Sequence, residues 1–361
     1  MAIATVVCIA LGVGDAGGDE PWLELHVLPS SALLHLSAER ADALVHLDIR
    51  NRTDSRVQIV EASVSFLDDG RVLEAIPLGK DFFKDPVTAR STRIDAGRRA
   101  KWRKICFDAV PAEADSLRFD LELRRRKIRS RQSVATVLEP QGEPARLRLP
   151  FAGFWGVSQG HTCDSNHRVN GFGGEFAWDF AAAGPDGRPE NDAYEKSRRN
   201  EDTYAFGRPV LAPASGVVVK IVDDLADNDG IKRYPRRSIL EINARPDWNL
   251  GNFVVIDVGR DAFVLLGHLR SGSVAVRPGQ EVQLGDPVAQ CGNSGNSIAP
   301  HIHVQVMDRP DPAHPEVRGL PAEFREYDQF STLRLGASSE LEARRIAFGD
   351  PPQGVIVSPV D

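Results

Sequence analysis

The sequence predicts an all-β protein in two parts, and three observations carry that expectation. Runs of alternating apolar and polar residues recur between Val45 and Leu123, with no convincing helical period among them. A second set of β-branched, apolar runs follows at 217–222, 253–258, 262–266 and 302–307. Between the two sets, Gln141-Gly142-Glu143-Pro144 reads as a linker, and 361 residues are enough for two cores. No internal repeat is visible.

Residues 1–20 stand apart. Ala2 to Gly14 is almost wholly apolar or small. It is too short to span a bilayer and reads as the apolar stretch of an export signal, with small residues at 14–18 for cleavage. No Lys or Arg precedes it, as a signal would normally have; the other reading is a strand or short helix of the mature chain. Val7 before Cys8 argues against a lipid-attachment site. Residues 21–140 read as an antiparallel sandwich, immunoglobulin-like in broad form. Val45, Leu47 and Ile49 alternate with His46, Asp48 and Arg50; Val60, Ala62, Val64 and Phe66 alternate with Glu61, Ser63 and Ser65. Asp69-Gly70 is a hairpin turn before Val72 and Leu73. Leu117, Phe119, Leu121 and Leu123 repeat the pattern. His26, His35 and His46 fall on ordinary strand positions and carry no chemistry.

Residues 145–335 form the second part, with long polar segments at Gly184 to Tyr204 and Asp223 to Asp247. Loops of that length inside a compact domain are usually functional or disordered. A short helix is expected near Ser339 to Ala347, capped by Ser338 or Ser339. It belongs to a C-terminal tail, 336–361, which runs extended from Pro351-Pro352-Gln353-Gly354.

The charge balance is mild: 44 basic and 51 acidic residues leave a formal net charge of −7. That gives no general attraction to nucleic acid or to anionic membranes, and no stretch is long and apolar enough to be a transmembrane span. The basic run Arg124-Arg125-Arg126-Lys127-Ile128-Arg129-Ser130-Arg131 reads as a solvated strand end, the alternative being contact with an anionic polymer. Oligomeric state is not legible.

The chemistry lies in the histidines. Of nine, six fall between His161 and His314. His301-Ile302-His303 opens a strand, so the two imidazoles share a face about 7 Å apart. Upstream stand His167, Asp179 and His268. Imidazole, carboxylate and imidazole are ligands that zinc accepts when it keeps a fourth position open, and two further histidines remain to move protons. Cysteines are sparse, and a Cys-x-x-Cys motif is absent, which argues against a structural zinc. Cys163 and Cys291 flank the same region. They are either two unlinked thiols or, in an oxidising compartment, a disulfide.

These motifs, in their order, resemble the lysostaphin-like zinc peptidases, the glycyl-glycine endopeptidase type. The resemblance rests on Ser165-Asn166-His167, Phe176-Ala177-Trp178-Asp179-Phe180, Phe206 to Val218, Gly251 to Ile256, Gly267-His268-Leu269, Gly292 to Ser297 and Pro300-His301-Ile302-His303. It covers under half of the chain, from Asn166 to Met307. It implies Zn²⁺ held by His167, Asp179 and His303, with His268 and His301 as the catalytic pair. It implies an open groove walled by the long loops, hydrolysis of peptide bonds in peptidoglycan stems or cross-links, and a bacterial, extracytoplasmic setting. The compact His-x-x-x-Asp of well-known members is absent, and Glu175 stands at that spacing. The first ligand must therefore come from a longer loop, where His161 rivals His167; the Asn-x-His pattern favours His167. Leu266-Gly267 replaces the tyrosine common before the His268 position, which puts one substrate contact in doubt.

Two other classes compete. Val276 to Ala289 resembles the hairpin of biotinyl and lipoyl carriers, but these need an exposed lysine and no lysine follows Lys232. A non-catalytic module regulating another cell-wall hydrolase would typically have lost ligands, whereas all five candidate residues are present here.

Overall fold

The computed structural model describes residues 20–36, 41–84, 91–140, 143–163, 165, 167, 172–185, 187–191, 193, 197–230, 245–331 and 343–360. The expected export signal lies outside them. Two compact units divide at Gly142/Glu143, and the fold is all-β. No described helix is long and apolar enough to cross a membrane.

The first unit contains β1 (Leu23–Leu36), β2 (Ala41–Asn51), β3 (Val57–Asp68), β4 (Arg71–Pro77), a one-turn helix α1 (Lys80–Lys84), β5 (Arg93–Ile94), β6 (Arg99–Asp108), β7 (Ser116–Arg125) and β8 (Ile128–Pro140). One hydrogen-bonded path runs β4-β3-β7-β8-β1-β2-β6, with β5 on β3. β1 makes this continuity: it pairs antiparallel with β2 and, over Ser31 to Leu34, parallel with β8. Alternation in β2 and β7 becomes burial. Val45, Leu47, Ile49, Leu117, Phe119, Leu121 and Leu123 are at most 1 % exposed. Asp69 (φ 46°) and Gly70 (φ 77°) close the β3–β4 hairpin, both left-handed as a two-residue type I′ turn requires. β3 departs from the expected alternation. A bulge between Ile59 and Glu61 shifts its phase, so Val57 and Ile59 are core residues and Val60 is only half-buried. A strand's period of two cannot survive an inserted residue. Trp102 is fully buried, with Phe82 and Phe83 edge-on at 5.6 and 5.3 Å.

The second unit contains β9 (Ala145–Leu147), β10 (Trp155–Gln159), β11 (Trp178–Ala182), β12 (Pro209–Leu211), β13 (Gly216–Val222), β14 (Asn252–Asp257), β15 (Phe263–Leu269), β16 (Glu281–Val282), β17 (Pro287–Gln290), β18 (Ile302–Met307), β19 (Gly319–Leu320), β20 (Ala322–Phe330), β21 (Arg344–Gly349) and β22 (Ile356–Pro359). The main sheet runs β16-β13-β14-β15-β18-β11-β10-β22-β20-β21, and β12 pairs with β17. β14, β15 and β18 are near-continuous apolar runs because both faces are covered: one by the main core, the other by a smaller cluster of Leu250, Phe253, Val255, Leu265 and Met307. Stacked and edge-on rings of Phe151, Trp155, Trp178, Phe180 and Phe324 pack beneath β10, β11 and β20.

The helix expected near Ser339 to Ala347 is not found in its described part. Residues 344–349 are β21, paired antiparallel with β20 and joined to it by an Arg345–Asp328 ion pair at 2.6 Å. Local composition suggested a helix, but a distant strand edge offered the backbone a ladder. The expected tail is likewise no tail, since β22 lies between β10 and β20.

Candidate functional site

The sheet order places β15, β18 and β11 side by side, and all the chemistry hangs on these three strands and one loop. His303 is opposite Asp179 on one side and Gly267 on the other. His303 Nδ1 lies 2.9 Å from Asp179 Oδ1, and His167 Nε2 lies 3.2 Å from Asp179 Oδ2. One donor atom from each of the three residues falls within 4.8 Å of the others. His301 Nε2 lies 3.4 Å from Asp179 Oδ1, and the His268 and His301 rings are 4.6 Å apart. All five line one cleft of about 140 Å³, together with Gln159, Phe172, Asn249, Leu250, Asn296 and Ile298.

The partners of the rings set their tautomers. His167 Nδ1–H donates to the Ala177 and Gly160 carbonyls at 3.0 and 3.2 Å, so in the neutral ring Nε2 turns a lone pair toward Asp179. Gln305 Nε2 donates to the Phe172 carbonyl at 2.7 Å, so its Oε1 must accept from His303 Nε2–H at 2.8 Å. His303 Nδ1 is then a lone pair as well. Two imidazole lone pairs facing one carboxylate are acceptors against acceptors, repulsive unless a proton or a metal cation lies between them. A mixed nitrogen–oxygen set with this orientation fits zinc. His268 Nδ1–H donates to the Ser294 carbonyl at 2.8 Å and His301 Nδ1–H to the Ala299 carbonyl at 2.8 Å, so both present Nε2 to the cleft.

The electrostatics follow from burial. Burial disfavours charge on Asp179, yet His167 and His301 outweigh it and hold the carboxyl well below its usual range. Burial also opposes charge on His167 and His301, but Asp179 prevails and both sit above the ordinary imidazole value. His268 is pushed well below it, by burial first and then by His301 and His303, so it is a neutral imidazole.

His268 reaches the cleft through an irregularity. It adopts φ 56°, and the β14–β15 register slips between Asn252 and Val254, which turns its side chain out of strict alternation. The Gly292 to Ser297 turn supports it. Ser294 Oγ–H donates to the Leu269 carbonyl at 2.7 Å and accepts from Asn252 N–H at 2.9 Å. A Cβ on Gly295 (φ 73°) would sit 2.4 Å from Gly251 N, so both chains can cross only as glycine. The described parts of the two long loops hold this turn from behind. Asp227 accepts from Asn293 N–H at 2.7 Å, Asn228 donates to the Gly295 and Ser297 carbonyls at 3.0 Å, and Asn200 accepts from Asn293 at 2.8 Å. Among described residues neither loop lines the cleft; the expected groove walls fall in part on residues 186, 192, 194–196 and 231–244, outside the described residues.

His161 is outside the cluster. Its Nε2 lies 2.8 Å from Asp350 Oδ2, and its ring packs edge-on against Trp178. Cys163 is disulfide-bonded while Cys291 is a free, buried thiol, so the two are neither both unlinked nor joined to each other. Cys291 is fully enclosed in the core beneath the turn, and burial raises its pKa far above the ordinary thiol range. Gln305, Ser294 and Asn252 escaped the sequence reading. Gln305 had a signal: it continues the His301, His303 parity along β18. Ser294 and Asn252 act through contacts that no local pattern shows.

Residues 202–315 match the sequence model of peptidase family M23, a span that holds His268, His301 and His303 and begins after His167 and Asp179. Among solved structures, the chain is similar to the catalytic domain of a prophage-encoded M23 protein, EnpA, from Enterococcus faecalis: 18% identity, 50% of this chain and 90% of that chain covered, TM-score 0.26. The catalytic domain of lysostaphin from Staphylococcus simulans matches at 17% identity, covering 43% and 80%, TM-score 0.23. A zinc-containing peptidase from Vibrio cholerae matches at 14%, covering 84% and 88%, TM-score 0.23. Over residues 202–315, then, the chain matches the domain of peptidase family M23.

Proposed function

We propose that this protein is a zinc-dependent endopeptidase that hydrolyses peptide bonds of peptidoglycan stems or cross-links outside the cytoplasm. The observation that carries the reading is the convergence of one donor atom each from His167, Asp179 and His303 within 4.8 Å, with two further imidazole Nε2 atoms in the same cleft. Zinc held by those three residues would supply Lewis acidity toward water and the scissile carbonyl. The remaining work falls to the chain. His268, neutral and oriented by Ser294, is the group suited to take a proton from the attacking water. His301, oriented by Ala299, is placed to donate to the carbonyl oxygen as negative charge develops there. Phe172, Leu250 and Ile298 offer apolar walls to the substrate, and Gln159, Asn249 and Asn296 offer amides to its backbone.

The test is digestion of purified peptidoglycan with mass analysis of the fragments, with and without a chelator, alongside elemental analysis. One zinc per chain and chelator-sensitive cleavage of peptide bonds are expected. Zinc-loaded protein inactive on wall material from several bacteria, and on glycine-rich peptides, would leave the regulatory-module reading instead.

A further inference from the structure

Asp350 lies in the C-terminal segment, beyond the family match at 202–315 and on the side of β11 away from the cleft. Its carboxylate grips two segments at once. Oδ2 lies 2.8 Å from His161 Nε2, and Oδ1 accepts from Trp178 Nε1–H at 2.9 Å. Trp178 immediately precedes Asp179. His161 immediately follows Gly160, whose carbonyl accepts from His167 Nδ1–H at 3.2 Å and from Ser165 Oγ–H. The same terminal segment holds Gly160 and β10 again. Gln353 Oε1 accepts from Gly160 N–H at 3.4 Å, Gly354 N–H donates to the Val157 carbonyl at 2.9 Å, and Val157 N–H to the Val355 carbonyl at 2.9 Å. His161 and Trp178 also touch edge-on, with ring centroids 5.1 Å apart.

We propose that Asp350 is a positioning residue for the metal centre: by tying His161 to Trp178 it fixes the spacing between the loop that presents His167 and the strand that presents Asp179. The inference rests on the zinc reading above. The physical reason is that His167 stands on a loop rather than in the ladder. β11 and β18 lock Asp179 to His303 through strand register, but no register locks His167. Its ring is aimed by the carbonyls of Gly160 and Ala177, one on each of the two segments that Asp350 joins. Metal affinity is sensitive to such outer contacts because the ligands must be held ready before the ion arrives. His161 thus serves the site as a strut rather than as a ligand.

The experiment measures zinc affinity of the full chain by competition with a chromogenic chelator, with the melting temperature of each metal-free variant recorded. Asp350→Ala is expected to weaken zinc binding about 10- to 100-fold. Asp350→Asn, which keeps an oxygen for Trp178 but loses the charge facing His161, should lose affinity by less. Val218→Ala, a buried change on β13, which pairs with β14 and β16 rather than with β10 or β11, should lower the melting temperature and leave zinc affinity where it was. Wild-type affinity in both Asp350 variants overturns the inference and leaves the zinc reading standing. Should Asp350→Ala fail to fold, wild-type affinity in Asp350→Asn overturns it alone. Equal losses in Val218→Ala and Asp350→Ala would reduce the effect to general destabilisation and overturn it too. A wild-type chain without zinc affinity overturns the functional reading itself.

Discussion

Gln305 shows how much of this site is decided one side chain away from the three candidate ligands. It takes the proton of His303 Nε2 as a hydrogen bond and thereby turns the Nδ1 lone pair toward Asp179. Gln305→Leu keeps the volume and removes the acceptor. Zinc affinity should fall about 10- to 100-fold, read by chelator competition; unchanged affinity would show that Gln305 does not orient the ring. His301 tests a different role. It shares the cleft with the three candidate ligands, its Nε2 lying 3.4 Å from Asp179 Oδ1. His301→Ala should retain zinc and the fold while kcat falls about 10²- to 10⁴-fold with little change in KM. Loss of zinc together with activity would instead make His301 a ligand. Cys291 is expected to be inert: alkylating reagent should label it only after denaturation, because a buried thiol with a raised pKa yields almost no thiolate.

At the scale of the element, the Gly292 to Ser297 turn and β15 act as one unit. Gly251 and Gly295 cross so closely that neither tolerates a Cβ, and this crossing presents the Ser294 carbonyl to His268. Gly295→Ala should destabilise the protein by about 2 kcal/mol or more, since it combines a left-handed φ with backbone overlap. Activity should fall further than zinc affinity, because the displaced acceptor belongs to His268 and not to a ligand. Thermal melts paired with kinetics and metal content decide this; a parallel loss of zinc would mean that the turn supports the ligands directly. The glycines of this motif were legible as turn residues. That their work is to aim a histidine was not, because Gly251 and Gly295 are far apart in sequence.

At the scale of the molecule, each unit has its own hydrophobic core, one around Trp102 and Phe119, the other around Trp155 and Phe180. All candidate ligands belong to the second unit. A ligand stabilises only what it binds, by about 2.7 kcal/mol at 100 times its Kd. Hydrogen exchange read by peptide mass should therefore show zinc-dependent protection in residues 143–361, greatest on β11, β15 and β18, and little change in residues 20–140. Comparable protection in both units would contradict the assignment of the metal to the second alone.

The sequence by itself determined the all-β class, most strands and the five residues that share the cleft. Each of these is written in local order: alternation follows from the strand's period of two, and the imidazoles and carboxylate sit in short motifs. Only the tertiary structure decided the rest. Bulges in β3 and β15 depend on the partner strand, so the phase of Val60 and the outward turn of His268 could not be read from one segment. Residues 344–349 became a strand because β20 offered an edge, and β22 entered the sheet between strands that precede it in sequence. That His167 and not His161 stands beside Asp179 depends on contacts spanning most of the second unit, from Gly160 to Asp350. Hydrogen-bond partners that distant leave no periodic trace in the chain, and they become visible only when the sheet brings them together.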